Sequence, residues 1–240
     1  MHIQIYSIQT VREALEVAEA GADRIGILVT DPTNPNHFPC EISEQDALPV
    51  FEALRGKATS VLISVAQTEE AVLDQVSRLR PDVLHLCAGL KGSTEFKEKL
   101  HARSPGTELM EAVGVTGEDA IAEAVRVSSY ADTIILDSVS PDIAGIGAAG
   151  VTHDWEIDRR IIGLVPVPVI MAGGLGPENV RAVLPLHPWG VDSLTKTSVV
   201  RDGIIIGKDI EKVKAFCRII REYESNSKEQ KVWRSSVSAI

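Results

Sequence analysis

Short runs rich in Val, Ile and Leu alternate with longer segments of helical period about eight times along the chain. That alternation narrows the fold more than any other feature. The strand-like runs are His2–Tyr6, Arg24–Val29, Thr59–Val65, Asp82–Cys87, Glu108–Val113, Thr133–Leu136, Val167–Met171 and Val191–Leu194. Helical patterns fill the gaps at Val11–Ala20, Glu44–Leu54, Thr68–Leu79, Thr94–Ala102, Gly117–Val127, Asp154–Leu164 and Pro177–Leu184, and Lys208–Glu222 closes the series. Roughly eight successive strand–helix units predict an α/β fold of the (β/α)8 or TIM barrel type. The rival doubly wound sheet should offer a GxGxxG turn after its first strand, where this chain reads YSIQTVREA. A length of 240 residues suits one such barrel. Residues 1–223 are expected as a single barrel domain and 224–240 as a polar tail, with Trp233 able to dock.

Charge and cysteine usage remove several function classes. A net charge of -10 argues against a nucleic acid partner and against a polybasic membrane site, since both need a basic face. The three cysteines, Cys40, Cys87 and Cys217, are scattered and include no CxxC, so neither a disulfide framework nor a zinc ribbon is indicated. The opening MHIQIYSIQT lacks a basic stretch followed by a long apolar one, and no apolar run approaches the roughly 18 residues of a membrane span. The expectation is a cytoplasmic protein.

In a barrel the reactive groups stand at the C-terminal ends of the strands and in the loops that follow. DPTNPNHFP (Asp31–Pro39) is one such loop, turn-rich, after the second strand. Four strand ends are unusually polar: Tyr6 and Ser7 on the first, His85 with Cys87 on the fourth, Glu111 in the fifth and Asp137 on the sixth. A carboxyl inside an apolar run costs several kcal/mol unless it is bonded, and burial moves its pKa towards neutrality, which suits acid–base work. Asp137, Glu111, His85 and Tyr6 are therefore the catalytic candidates. Blander alternatives stand beside each: Asp137 capping a turn, Glu111 facing outward between helices, His85 a satisfied core histidine, Cys87 a small buried hydrophobe. His85, Glu111 and Asp137 together also form an alternative N/O donor set for a divalent metal, although no cofactor is expected.

The loops after the seventh and eighth strands are where this fold commonly builds a phosphate site. MAGGL supplies Gly173 and Gly174, whose amides can approach phosphate oxygens, and VDSLTKTS supplies Thr195 and Lys196 with hydroxyl and charge. Pro177 opens what reads as a helix just beyond the glycines. A further glycine-rich loop, DIAGIGAAG (Asp142–Gly150), follows the sixth strand and suggests close approach to a ligand.

At this point the residues resemble the phosphoribosylanthranilate isomerase family. The likeness runs through VREALEVAEAGADRIGILV, ILD, GAAGVTHDW, MAGGLGPENV, WGVD and GKDIEKVKAF, to about Cys217. It implies a barrel that performs an Amadori rearrangement of a phosphorylated ribosylamine, with an aspartate acid on the sixth strand and a cysteine base on the first. Asp137 matches the aspartate. Where the family reads Lys-Ile-Cys-Gly, this chain has Gln4-Ile5-Tyr6-Ser7, and the family's Ser-Pro-Arg becomes Asn34-Pro35-Asn36. His85-Leu86-Cys87-Ala88 stands for Gln-Leu-His-Gly, Glu111 for a lysine, and Leu194-Thr195-Lys196 for Ser-Ser-Gly. The resemblance implies an isomerase or epimerase, a monomer or homodimer, acting on a small phosphorylated sugar or phosphorylated carbonyl compound. Two alternatives are an authentic family enzyme with a substituted base and a non-catalytic phosphometabolite-binding protein.

Overall fold

The computed structural model describes residues 1–139 apart from Thr33, Pro39 and Ala88, residues 155–202, and residues 204–237, with side chains through 226. The expected close-approach loop Asp142–Gly150 and the side chain of Trp233 lie outside the described residues.

Eight parallel strands close into a barrel: β1 (His2–Ile5), β2 (Arg24–Val29), β3 (Thr59–Ser64), β4 (Val83–Leu86), β5 (Glu108–Gly114), β6 (Thr133–Asp137), β7 (Val169–Met171) and β8 (Gly190–Ser193). Closure is made by β1 on β8, with His2 opposite Gly190 and Ile5 opposite Ser193. Helices α1 (Val11–Glu19), α2 (Glu44–Leu54), α3 (Glu69–Leu79), α4 (Thr94–Arg103), α5 (Asp119–Ser128) and α6 (Trp155–Leu164) follow the first six strands. Four of them begin where the sequence places a hydroxyl. Thr10, Ser43, Thr68 and Ser93 each accept the amide N–H three residues on, satisfying a donor that the first turn leaves open.

Strand alternation then sorts the apolar side chains into two cores. Ile3, Ile5, Ile25, Ile27, Leu62, Leu84, Leu109, Ile134 and Val191 face outward and pack under the helices. Leu28, Val61, Ile63, Val83, Met110, Ala112, Ile135 and Ile170 fill the barrel interior.

The helix expected over Pro177–Leu184 is not an α-helix. Two 3₁₀ turns, Val180–Ala182 and Leu184–Leu186, stand there instead. Pro185 brings no N–H and crowds the preceding turn, and left-handed His187 ends the segment. After β8 comes another 3₁₀ turn, Thr195–Thr197, and then an antiparallel hairpin, β9 (Ser198–Arg201) with β10 (Ile204–Lys208), that the strand count did not include. The last helix, α7 (Ile210–Val237), runs well past Glu222, so the tail from 224 continues as helix.

Candidate active site

The mouth of the barrel is lined by whichever inward side chains come last on each strand. On one side these are bulky: Tyr6 after β1, Leu28 on β2 and Val65 after β3, with Phe38 packed over them. On the other they are small, namely Ala112 and Gly114 on β5 and Ala172 after β7. Asp137 ends β6 between them, two residues beyond inward Ile135 and paired in register with Gly114. Ser138 N–H donates to Oδ1 of this aspartate at 2.7 Å. Its charge reaches Tyr6, Cys87 and Asp192, and with burial it pushes the Cys87 thiol up to about 12.

Tyr6 and His85 meet inside the barrel. Tyr6 Oη lies 2.7 Å from His85 Nδ1, and both side chains are buried. The tyrosine ring fits because β2 offers a glycine opposite it: a Cβ on Gly26 would fall 2.2 Å from Tyr6 Cδ1. Burial raises the Tyr6 phenol well above its ordinary pKa, and burial with the charge of Arg24 lowers His85 to about 3. The phenol is therefore the donor and neutral Nδ1 the acceptor, which leaves the imidazole proton on Nε2. His85 Nε2 is buried and has no hydrogen-bond partner among the described residues.

Beneath this pair runs a polar chain that sequence reasoning missed. Arg24 Nε donates to Gln4 Oε1 at 3.0 Å, and Gln4 Nε2 donates to Asp192 Oδ1 at 3.2 Å. Asp192 is held well above the usual carboxyl range, by burial first and then by the charge of Asp137. The signal was available: in HIQIY and GVDSL the polar residue alternates with outward apolar ones, so Gln4 and Asp192 must point inward.

Glu111 is not at the mouth. It lies between inward Met110 and Ala112 and so faces the helices, which separates it from His85 and Tyr6. Gly92 N–H and the Tyr130 hydroxyl donate to its Oε2 at 2.8 and 2.9 Å, and Lys91 and Arg126 each lie 3.7 Å from its Oε1. His85, Glu111 and Asp137 therefore do not converge as a donor trio. Among the described residues no group of three or more His, Cys, Asp or Glu side chains could hold a metal ion.

The two expected phosphate loops do meet. Gly173 and Gly174 take left-handed φ values of 83° and 64°, open to residues without a side chain. Asn179 pins the turn, accepting Gly176 N–H at 2.8 Å and donating to Gly174 O at 3.0 Å. Ser193 Oγ ties the end of β8 to this turn by donating to Leu175 O at 2.7 Å. Gly176 lets the Lys196 stem come close, since a Cβ there would lie 2.4 Å from Lys196 Cβ. Lys196 is exposed and pairs with no carboxylate among the described residues. Thr195, Lys196, Asn179 and Ser198 help to line a surface hollow of about 520 Å³. On the opposite rim, Asn34 anchors its loop by donating to Val65 O at 2.7 Å.

Comparison with known proteins bears directly on this arrangement. The model of the N-(5'-phosphoribosyl)anthranilate (PRA) isomerase family matches residues 3–218. The chain belongs to that family. The N-(5'-phosphoribosyl)anthranilate isomerase of Methanocella arvoryzae is 33% identical over 92% of this chain and 95% of its own, and that of Haloferax volcanii is 30% identical over 89% and 90%. The phosphoribosyl anthranilate isomerase structure from Thermus thermophilus superposes with a TM-score of 0.74 at 23% identity, covering 93% of this chain and all of that one. The one from Thermotoga maritima gives 0.74 at 25%, covering 92% and 99%. This PRA isomerase family member carries at the end of β1 a phenol bonded to a histidine. No helix among its described residues is long and apolar enough to cross a membrane.

Proposed function

We propose that the protein is an isomerase of a small phosphorylated sugar or related phosphorylated carbonyl compound. The substrate phosphate is held by Gly173, Gly174, Thr195 and Lys196, and Asp137 acts as the proton donor. The observation that carries the reading is one mouth with two working sides: a carboxylate at the C-terminal end of β6, and on the same rim the joined glycine and lysine loops. In this mechanism Asp137 protonates the ring or carbonyl oxygen. Tyr6 Oη accepts the substrate carbon's proton while passing its own to His85 Nδ1. Burial and the charge of Arg24 keep His85 neutral, so its Nδ1 is open to take that proton. Glu111 has no part in it, because it faces the helices. The assembly expected is a monomer or homodimer that needs no metal.

A second reading is the authentic phosphoribosylanthranilate isomerase reaction run with a substituted base; it is favoured by 33% identity to an enzyme of that name across nearly the whole chain. Turnover of N-(5'-phosphoribosyl)anthranilate, with complementation of a tryptophan auxotroph lacking that step, separates the two. Growth selects the second reading. No growth, with turnover of another phosphorylated aldose, ketose or glycosylamine, supports the first. Tight binding across such a panel with no turnover overturns both and leaves a phosphometabolite-binding protein.

A further inference from the structure

The turn that carries Thr195 and Lys196 is closed around one carbonyl. Leu194 O accepts Thr197 N–H at 3.3 Å, Thr197 Oγ1–H at 3.1 Å and Ser198 Oγ–H at 2.7 Å. A fourth donor comes from elsewhere in the chain. Lys208, on β10, sends its Nζ to Leu194 O at 3.0 Å and to Ser198 Oγ at 2.8 Å. Leu194 precedes the turn and Ser198 follows it, so a single ammonium grips both ends.

This lysine is buried and forms no ion pair with a carboxylate among the described residues. Glu13 on α1, Cys40 in the loop before α2 and Asp192 on β8 face it electrostatically, and Glu13 is occupied by the backbone N–H of Lys208. Burying an ammonium without an adjacent counter-charge costs several kcal/mol, which its two hydrogen bonds offset only in part. An anion on the loop in front offsets more of the cost of the buried ammonium. The ammonium's field passes through the turn to the ligand, little weakened by solvent, and its hydrogen bonds fix where Thr195 and Lys196 point.

We propose that Lys208 is the positioning residue of the phosphate site, clamping the Thr195–Thr197 turn and supplying positive charge from behind it. The inference rests on the phosphate reading above. It also carries a pH dependence. Burial lowers Lys208 to about 8, so the clamp loses its charge as pH rises through that value.

Sulfate is a suitable probe because it stays a dianion throughout. Calorimetric titration of the full chain should show Lys208→Met binding sulfate about tenfold or more weaker than wild type near neutral pH, as expected for a lost charge-assisted hydrogen bond. Wild-type affinity should fall between about pH 7 and 9, and Lys208→Arg, which keeps its charge, should not show that fall. Hydrogen exchange at Thr197 and Ser198 should quicken in Lys208→Met and in Ser198→Ala. A folded Lys208→Met with wild-type sulfate affinity and pH profile overturns the inference. Should that variant not fold, Ser198→Ala decides: unchanged exchange and affinity overturn it. Sulfate binding lost in Lys196→Met but kept in both clamp variants defeats this inference alone. Wild-type protein that binds neither sulfate nor inorganic phosphate defeats the phosphate reading as well.

Discussion

Tyr6 with His85 inside the barrel, and Glu111 outside it, are both polar groups sealed from solvent within apolar strands. Outside, the surroundings answer the group: an amide N–H and a hydroxyl bond one Glu111 oxygen, and two cations stand off the other. Inside, the two side chains answer mainly each other; among the described residues His85 Nε2 has no hydrogen-bond partner, and while Glu111 Oε1 also has none, only the glutamate oxygen has opposite charges close by. A carboxylate that already has two hydrogen bonds on one oxygen and two cations near the other, and that faces the helices, has little left to offer a substrate. A buried donor left unmet is costly to stability and becomes useful only when something enters. The contrast predicts that changes inside the barrel and at its mouth alter chemistry and pH response, while changes at Glu111 alter stability.

The sharpest break would come at Asp137. Asp137→Asn should lower kcat about a hundred- to ten-thousandfold, the usual worth of a positioned acid, with the melting temperature held; full turnover on the eventual substrate would remove it from the mechanism. Next is acid sensitivity. His85 sits at about 3 when folded, whereas the unfolded chain titrates near 6.5, so the unfolded state binds more protons between those values. Its contribution to stability is whole above about pH 6.5 and drains as pH falls towards 3, up to roughly 4 to 5 kcal/mol. Urea titrations across that range check it, and the double variant Tyr6→Phe/His85→Leu should flatten the loss. The smallest effect belongs outside. Glu111→Gln should cost about 1 to 3 kcal/mol while kcat stays within about twofold, since it disturbs only the bonds from Gly92 and Tyr130 and the pairing with Lys91 and Arg126. A large loss of kcat at unchanged stability would collapse the distinction between the two regions.

Much of the fold is legible in the sequence. The eight strands fall within a few residues of their expected places, because β-branched runs bounded by turns leave little freedom once the barrel closes. What failed did so for local reasons. PENVRAVLPLHP has helical spacing, but Pro185 denies it the hydrogen bonds of an α-turn. The hairpin was signalled by Asp202-Gly203 between β-branched runs, and Asp202 does take the left-handed φ of 51° that a two-residue loop requires. For Glu111 the outward alternative is the one the structure shows, and alternation from Met110 and Ala112 is what turns it to the helices. Lys208 could not have been found from sequence, since its partners lie 10 and 14 residues away across a hairpin of unknown register.

Gly26 carries a consequence for how such a barrel can change over time. With any side chain at that register on β2, an aromatic ring at the end of β1 has nowhere to lie. The glycine must therefore stand first, as a permissive residue, before a mutation to tyrosine at position 6 can survive. Once the ring is in place the order locks: position 26 can no longer gain a side chain, while reverting position 6 to a small residue leaves a ring-sized void. A glycine that bears no reactive group thereby decides which replacements for a catalytic group are open to this chain.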